Sequence, residues 1–152
     1  MPAPYTLTLT DAPRDEDRRL VQQGLRAFND AHVGDDGYQP LCIFLRDESG
    51  GVLGGLLGET YWGWLSIGIV WLREDARGGG YGKQILFMAE HEAIRRGCHH
   101  AHVDTMAFQA PDFYLKLGYV IWGQLDDLPL GNTRYFLKKD LRSKQLEPDS
   151  AS

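Results

Sequence analysis

The chain has 152 residues, 43% of them hydrophobic and 24% charged, with a net charge of −5. That length suits one compact domain, and that apolar share is enough to close a core, which excludes disorder as the main state. The acidic balance lacks the basic footprint of a general nucleic-acid binder.

Tyr5 to Thr10 alternates apolar and polar residues and predicts a first strand. Asp15 to Phe28 has helical period: Leu20, Gly24 and Ala27 share a face with Val21 and Phe28, behind a charged start of Arg14, Asp15, Glu16 and Arg18. Residues 30–40, with Gly34 and Gly37, predict a loop or broken helix. Leu41 to Arg46 and Val52 to Glu59 predict a hairpin, and Trp64 to Leu72 a further strand. Lys83 to Arg96 is the clearest helix. Ile85, Ala89 and Ala93 form one stripe with Leu86 and Met88 beside it; Glu90, Glu92, Arg95 and Arg96 face water in this reading. Gly97 is its left-handed stop. His99 to Thr105 is a strand and Pro111 to Leu117 a short helix ended by Gly118. Tyr119 to Gly123 and Thr133 to Lys139 are the last strands, joined by the loop from Asp126 to Asn132.

Strands outnumber helices and come in both hairpins and crossovers. This order predicts an α/β fold, more closely an α+β mixed sheet with helices on its faces. One domain is expected over residues 1–142, with a polar tail at 143–152. The opening Met-Pro-Ala-Pro-Tyr shows neither a basic n-region nor an apolar h-region, so a signal peptide is not expected, and no apolar run approaches the ~20 residues that cross a bilayer. Cys42 and Cys98 read as free thiols, so the expected setting is the cytoplasm, away from membranes. Eighteen glycines cluster at 50–58, 63–68 and 78–82, where they mark turns and close backbone approaches.

The stretch Arg77-Gly78-Gly79-Gly80-Tyr81-Gly82-Lys83 joins a strand to the strongest helix. Glycines let backbone N–H groups point inward, and a helix start adds positive potential, so this is a place for a phosphate or pyrophosphate. The mononucleotide P-loop is excluded: it needs Gly at position 77 and Ser or Thr at position 84, where Arg77 and Gln84 stand. The dinucleotide fingerprint fails too, since its third Gly falls on Lys83 or Ile85.

Arg77-x-x-Gly80-x-Gly82 resembles the acyl-CoA loop of the GNAT superfamily of N-acetyltransferases, (Arg/Gln)-x-x-Gly-x-(Gly/Ala). Ile69 to Leu72 precedes it as the expected apolar strand. Downstream, the segment from Ala110 to Tyr119 resembles the superfamily's Ala-x-x-(Leu/Phe)-Tyr-x-Lys-x-Gly-(Phe/Tyr). The resemblance covers roughly residues 5–140 and is strongest over 64–122. It implies a mostly antiparallel central sheet with helices on both faces, whose fourth and fifth strands splay apart.

The same resemblance implies a site. Acetyl-CoA is the co-substrate, with no metal. Its arm lies along Val70, Trp71 and Leu72, and its pyrophosphate on Arg77, Gly78, Gly79, Gly80, Tyr81, Gly82 and Lys83. A backbone N–H near Ile69 or Val70 faces the oxyanion. Tyr114 matches the family's tyrosine acid, whose ordinary pKa of about 10 keeps it protonated at neutral pH; its plainer reading is a packed aromatic beside Phe113. The acidic residue many relatives carry on the fourth strand is absent, because Ser66 and Gly68 stand there. Glu59 is the first substitute as base, directly or through a water, and Asp104 the second. Ala107 replaces the Asn that often bonds the cofactor, and Gln109 is assigned that role.

His99, His100 and His102 read as rim imidazoles rather than metal ligands, since only Asp104 adds to them. Tyr61, Trp62 and Trp64 read as core packing or as a wall for an amine through cation–π contact. The expected activity is acetyl transfer to the primary amine of a small molecule, by direct attack in a ternary complex. Its rivals are a protein lysine or N-terminal acetyltransferase and a non-catalytic acyl-CoA-binding module. Many relatives pair, so a homodimer is the assembly the resemblance implies.

Overall fold

In a computed structural model of the chain, residues 4–142 are described; the polar tail expected at 143–152 lies outside them. The chain divides between Asp36 and Gly37 into two units.

The first unit is built on α1, Asp15–Val33. Asp15, Glu16 and Asp17 fill its first turn, where the helix dipole favours anions, and Arg14 pairs with Asp17 at 3.0 Å. The helix runs five residues past Phe28. The signal that ends it is Gly34, at φ 77°, whose N–H returns to the Asp30 carbonyl at 2.9 Å. The polar run from Asn29 to His32 stays helical because nothing in it forces a left-handed residue. The strand expected over Tyr5 to Thr10 is not formed. Alternation alone makes no strand; the backbone needs a ladder neighbour to satisfy its N–H and C=O groups.

The second unit holds β1 (Gln39–Arg46), β2 (Val52–Tyr61), β3 (Trp64–Leu72), α2 (Tyr81–Arg95), β4 (His100–Met106), α3 (Pro111–Lys116), β5 (Val120–Asp126) and β6 (Thr133–Asp140). The six strands form one mixed sheet in the order β1-β2-β3-β4-β6-β5. All neighbours are antiparallel except β3 and β4, which α2 joins as a parallel crossover. The β1–β2 turn is fixed by Asp47, whose Oδ1 accepts from the Ser49 and Gly51 N–H groups at 2.9 and 2.8 Å. The β2–β3 turn is two residues, Trp62 at φ 47° and Gly63 at φ 76°.

Leu41, Leu56, Leu65, Ile67, Ala101, Val103 and Leu137 point from the sheet to one side, where Ile85, Leu86, Ala89 and Ala93 of α2 meet them. Fully burying each such Leu or Ile is worth about 1.5–3 kcal/mol. Three positions of the expected helix depart from its pattern. Arg96, at the C-cap of α2, does not face water: its side chain is largely buried and donates to the Gln39 and Pro40 carbonyls and to Thr60 Oγ1. Met88 is exposed, while Glu90 is fully buried. Position 90 lies four residues after Leu86 and three before Ala93, on the core face. Its charge is met there by Tyr119 Oη, which donates at 2.8 Å, and by Lys139 Nζ at 3.1 Å. Both partners arrive from far along the chain. Among the described residues no helix is long and apolar enough to cross a membrane.

Candidate active site

The sheet opens between β3 and β4. Their pairing runs from Trp64↔His100 to Ile67↔Val103 and stops, although both strands continue. On its other edge β3 keeps its ladder to β2, but Leu57 faces Ile69 while Gly58 faces Ile67. Gly68 is therefore an extra residue, a bulge that bends β3 where its pairing with β4 ends. Glycine at position 58 permits this close approach, because a Cβ there would lie 2.5 Å from the Ser66 carbonyl oxygen. Beyond the bulge, alternate residues from Gly68 to Leu72 turn backbone groups towards the gap, away from β2. An extended ligand with amide groups can satisfy them.

The gap leads to the glycine loop. Gly80 is the cap residue of α2, at φ 83°, with no side-chain cap, and Gly78 takes the same φ. At neither glycine would a Cβ meet any atom within 4 Å. These glycines are thus required by backbone conformation and not by packing. The N–H groups of Tyr81, Gly82 and Lys83 open the helix and have no carbonyl in the turn before them. Arg77 curls back, its Nε donating to the Leu72 carbonyl at 2.9 Å, so it ties the loop to the end of β3. Arg73 is already neutralised by Asp75. A Cβ at position 82 would stand 3.3 Å from the Phe113 ring, which sets the start of α2 directly against α3.

Tyr114 lies on α3 in the helix-side core, with its ring centroid 5.0 Å from that of Phe113 and 5.7 Å from that of Tyr119. Burial, reinforced by the Asp104 carboxylate, pushes its phenol up to about 12. Gln109 does not project freely. Its Oε1 accepts from the Met106 N–H at 2.8 Å and from Thr105 Oγ1 at 3.1 Å, capping the end of β4. Its amide nitrogen is what remains for a ligand.

Glu59 belongs to the opposite face of the sheet from Tyr114. It registers with Ser66, Ser66 with His102, and His102 with Lys138, so one polar row crosses four strands. Asp104, the second candidate base, is paired with Arg134 at 3.2 Å. His102 is no rim imidazole. It is half-buried, and burial pulls its pKa below the ordinary value, against the Asp104 and Glu59 carboxylates, which pull it up. The adjacent aromatic residues do not fill the core. Tyr61, Trp62, Trp64, His102, Trp122 and Lys138 line a cavity of about 520 Å³. The Trp64 ring stacks on His100 at 4.6 Å and meets His102 edge-on at 5.6 Å. The sequence reading has His102 as a rim imidazole and does not single out Lys138; the signal for His102 is the parity that puts His100, His102 and Asp104 on one side of a strand. No cluster of metal-ligating side chains occurs among the described residues.

A gap between parallel strands with a helix start beside it that is ready for an anion can take an extended, amide-bearing ligand that carries phosphate. The family model of the GNAT acetyltransferases matches residues 5–119. The chain belongs to this family. It is 35% identical over 131 residues to acetyltransferase Atu2258 of Agrobacterium fabrum, covering 86% of this chain and 96% of that one. It is 39% identical over 95 residues to the blasticidin-S acetyltransferase of Streptomyces morookaense, covering 62% and 70%. A crystal structure from Agrobacterium tumefaciens superposes with a TM-score of 0.85 at 34% identity, over 90% of this chain and 99% of the other. A Bacillus anthracis protein solved in complex with acetyl coenzyme A shares the fold, with a TM-score of 0.59 at 18% identity over 66% and 62% of the two chains.

Proposed function

We propose that this acetyltransferase moves an acetyl group from acetyl-CoA to the primary amine of a small molecule, by direct attack within a ternary complex. The observation that carries the reading is the junction of two features on one strand. β3 parts from β4 at Gly68, and the same strand leads, through a single 3-10 turn at Glu74–Ala76, to the glycine loop that starts α2.

Backbone groups of Val70, Trp71 and Leu72 would hold the amide-bearing arm. The N–H groups from Gly78 to Lys83, with Arg77 beside them, would hold the pyrophosphate, and the Gln109 amide nitrogen would add a donor. When bound, the coenzyme supplies an activated thioester carbon. Tyr114 keeps its proton throughout the neutral range and is the donor for the departing sulfur. A backbone N–H near Ile69 or Val70 serves the developing oxyanion. Glu59 supplies negative charge on the acceptor side of the sheet. The aromatic lining of the cavity supports a small acceptor, as does a relative named for acetylating one compound, blasticidin S.

The test is release of free thiol from acetyl-CoA, followed with a panel of small amines and with lysine peptides. Turnover of small amines supports the reading, and turnover of peptides alone moves it to a protein substrate. Coenzyme binding with no turnover on any amine supports the non-catalytic module instead.

A further inference from the structure

The cavity lined by Tyr61, Trp62, Trp64, His102, Trp122 and Lys138 contains no carboxylate. Glu59 and Asp104, the candidate bases read from the sequence, do not line it. An amine seated against those walls meets three titratable side chains: a phenol, an ammonium and the imidazole of His102. Of these three side-chain types, imidazole is the one whose charge change falls at physiological pH. The imidazole is the lining group that can accept a proton.

We propose that His102 is the catalytic base, accepting the proton that the amine loses as it attacks the thioester; this rests on the acetyl transfer proposed above. Neither ring nitrogen of His102 has a hydrogen-bond partner among the described residues, so a lone pair is available to the cavity. The groups facing the ring are Glu59 from β2, Trp64 from β3, His100 and Asp104 from β4, and Lys138 from β6, with Arg134 paired to Asp104. Burial favours the neutral ring before the reaction, while the Glu59 and Asp104 carboxylates favour the imidazolium formed during it. Glu59 thus acts through His102, as a positioning residue, and not on the amine. The balance closes: the C–N bond forms, the C–S bond breaks, one proton passes from nitrogen to His102, and Tyr114 gives one to sulfur. His102 then returns its proton to solvent and Tyr114 is reprotonated, leaving amide and free thiol.

The experiment uses the full chain with acetyl-CoA and the best acceptor from a panel of tryptamine, phenylethylamine and cadaverine. His102→Gln is expected to lower kcat by about 10²–10⁴-fold, leave the affinity for acetyl-CoA unchanged, and abolish the acid limb of the kcat profile. Glu59→Gln is expected to lower kcat less and to move that limb to lower pH without removing it. A His102→Gln enzyme that keeps both its kcat and its acid limb overturns the proposal, more so if Glu59→Gln loses them. NMR titration of wild-type His102 gives a readout independent of any variant's folding. Its pKa should lie below about 6.5 and match the limb; a value above neutrality overturns the assignment. Wild-type protein that turns over neither these amines nor the lysine peptides would instead sink the acetyl-transfer reading itself, and His102's role with it.

Discussion

Ile67 of β3 and Val103 of β4 are the last residues paired between their strands, and the bulge residue Gly68 follows Ile67 immediately. The glycine that faces Ile67 from the other side, Gly58, makes this geometry possible, since any Cβ there would press on the Ser66 carbonyl. Backbone oxygen cannot swing aside as a side-chain tip does. Gly58→Val should therefore cost about 1–3 kcal/mol, in the range of overpacked sites. It should also weaken acetyl-CoA binding, because β3 shifts at the gap. Urea melts and calorimetry on one sample check both; an undisturbed melt would show that the bulge does not depend on Gly58.

The buried pair of Glu90 and Lys139 ties α2 to β6, and Lys139 also donates to the Leu117 carbonyl at 2.7 Å, fastening the end of α3. Replacing one partner strands the other's charge or polar group in the core. Lys139→Met should destabilise by about 3–5 kcal/mol, whereas the double variant Lys139→Met with Glu90→Leu should recover much of the loss. Denaturant melts of the two singles and the double decide this. Additive losses would mean the pair is not coupled.

Tyr114→Phe removes a proton donor while keeping the ring against Phe113 and Tyr119. We expect kcat to fall by about 10²–10⁴-fold, with the melting temperature and coenzyme affinity near those of the wild type. The pH profile should carry no phenol limb in the assayable range, because Tyr114 is pushed up to about 12 and stays protonated below that. A basic limb near pH 9 that disappears in Tyr114→Phe would contradict this.

Trp62 holds a left-handed backbone conformation in the tight β2–β3 turn, where Asn would sit more easily beside Gly63. From that strained position its ring lines the cavity. Trp62→Asn should raise stability by about 0.5–1 kcal/mol and raise the KM for the amine, with the KM for acetyl-CoA unchanged. Steady-state kinetics beside a thermal melt test the trade; unchanged amine KM would remove Trp62 from the acceptor wall.

Local chemistry makes much of the fold and site legible in the amino-acid sequence. Gly80 and Gly82 announce a helix start without a side-chain cap, Gly97 takes the left-handed stop at φ 88°, and the hairpin over Asp47 forms as its composition demands. Tyr114 lies on a helix as its motif requires. What escapes depends on partners distant in sequence. Glu90 reads as a surface charge until Lys139 is placed beside it, and His102 reads as a rim residue until Trp64 and Lys138 flank it. Tyr5 to Thr10 has the pattern of a strand but no ladder. Periodicity reports which face a residue takes, not who waits on that face.

Most depends on the N–H groups that open α2 and, as proposed, bind the pyrophosphate of coenzyme A. Isothermal titration of acetyl-CoA into wild type and into Gly80→Val tests this most directly, since a β-branched residue at φ 83° forces the loop out of shape. We predict binding to the wild type and at least about a tenfold loss in the variant, roughly 1.4 kcal/mol, with the fold retained. Equal affinity in the two proteins, or no heat with the wild type, would contradict it.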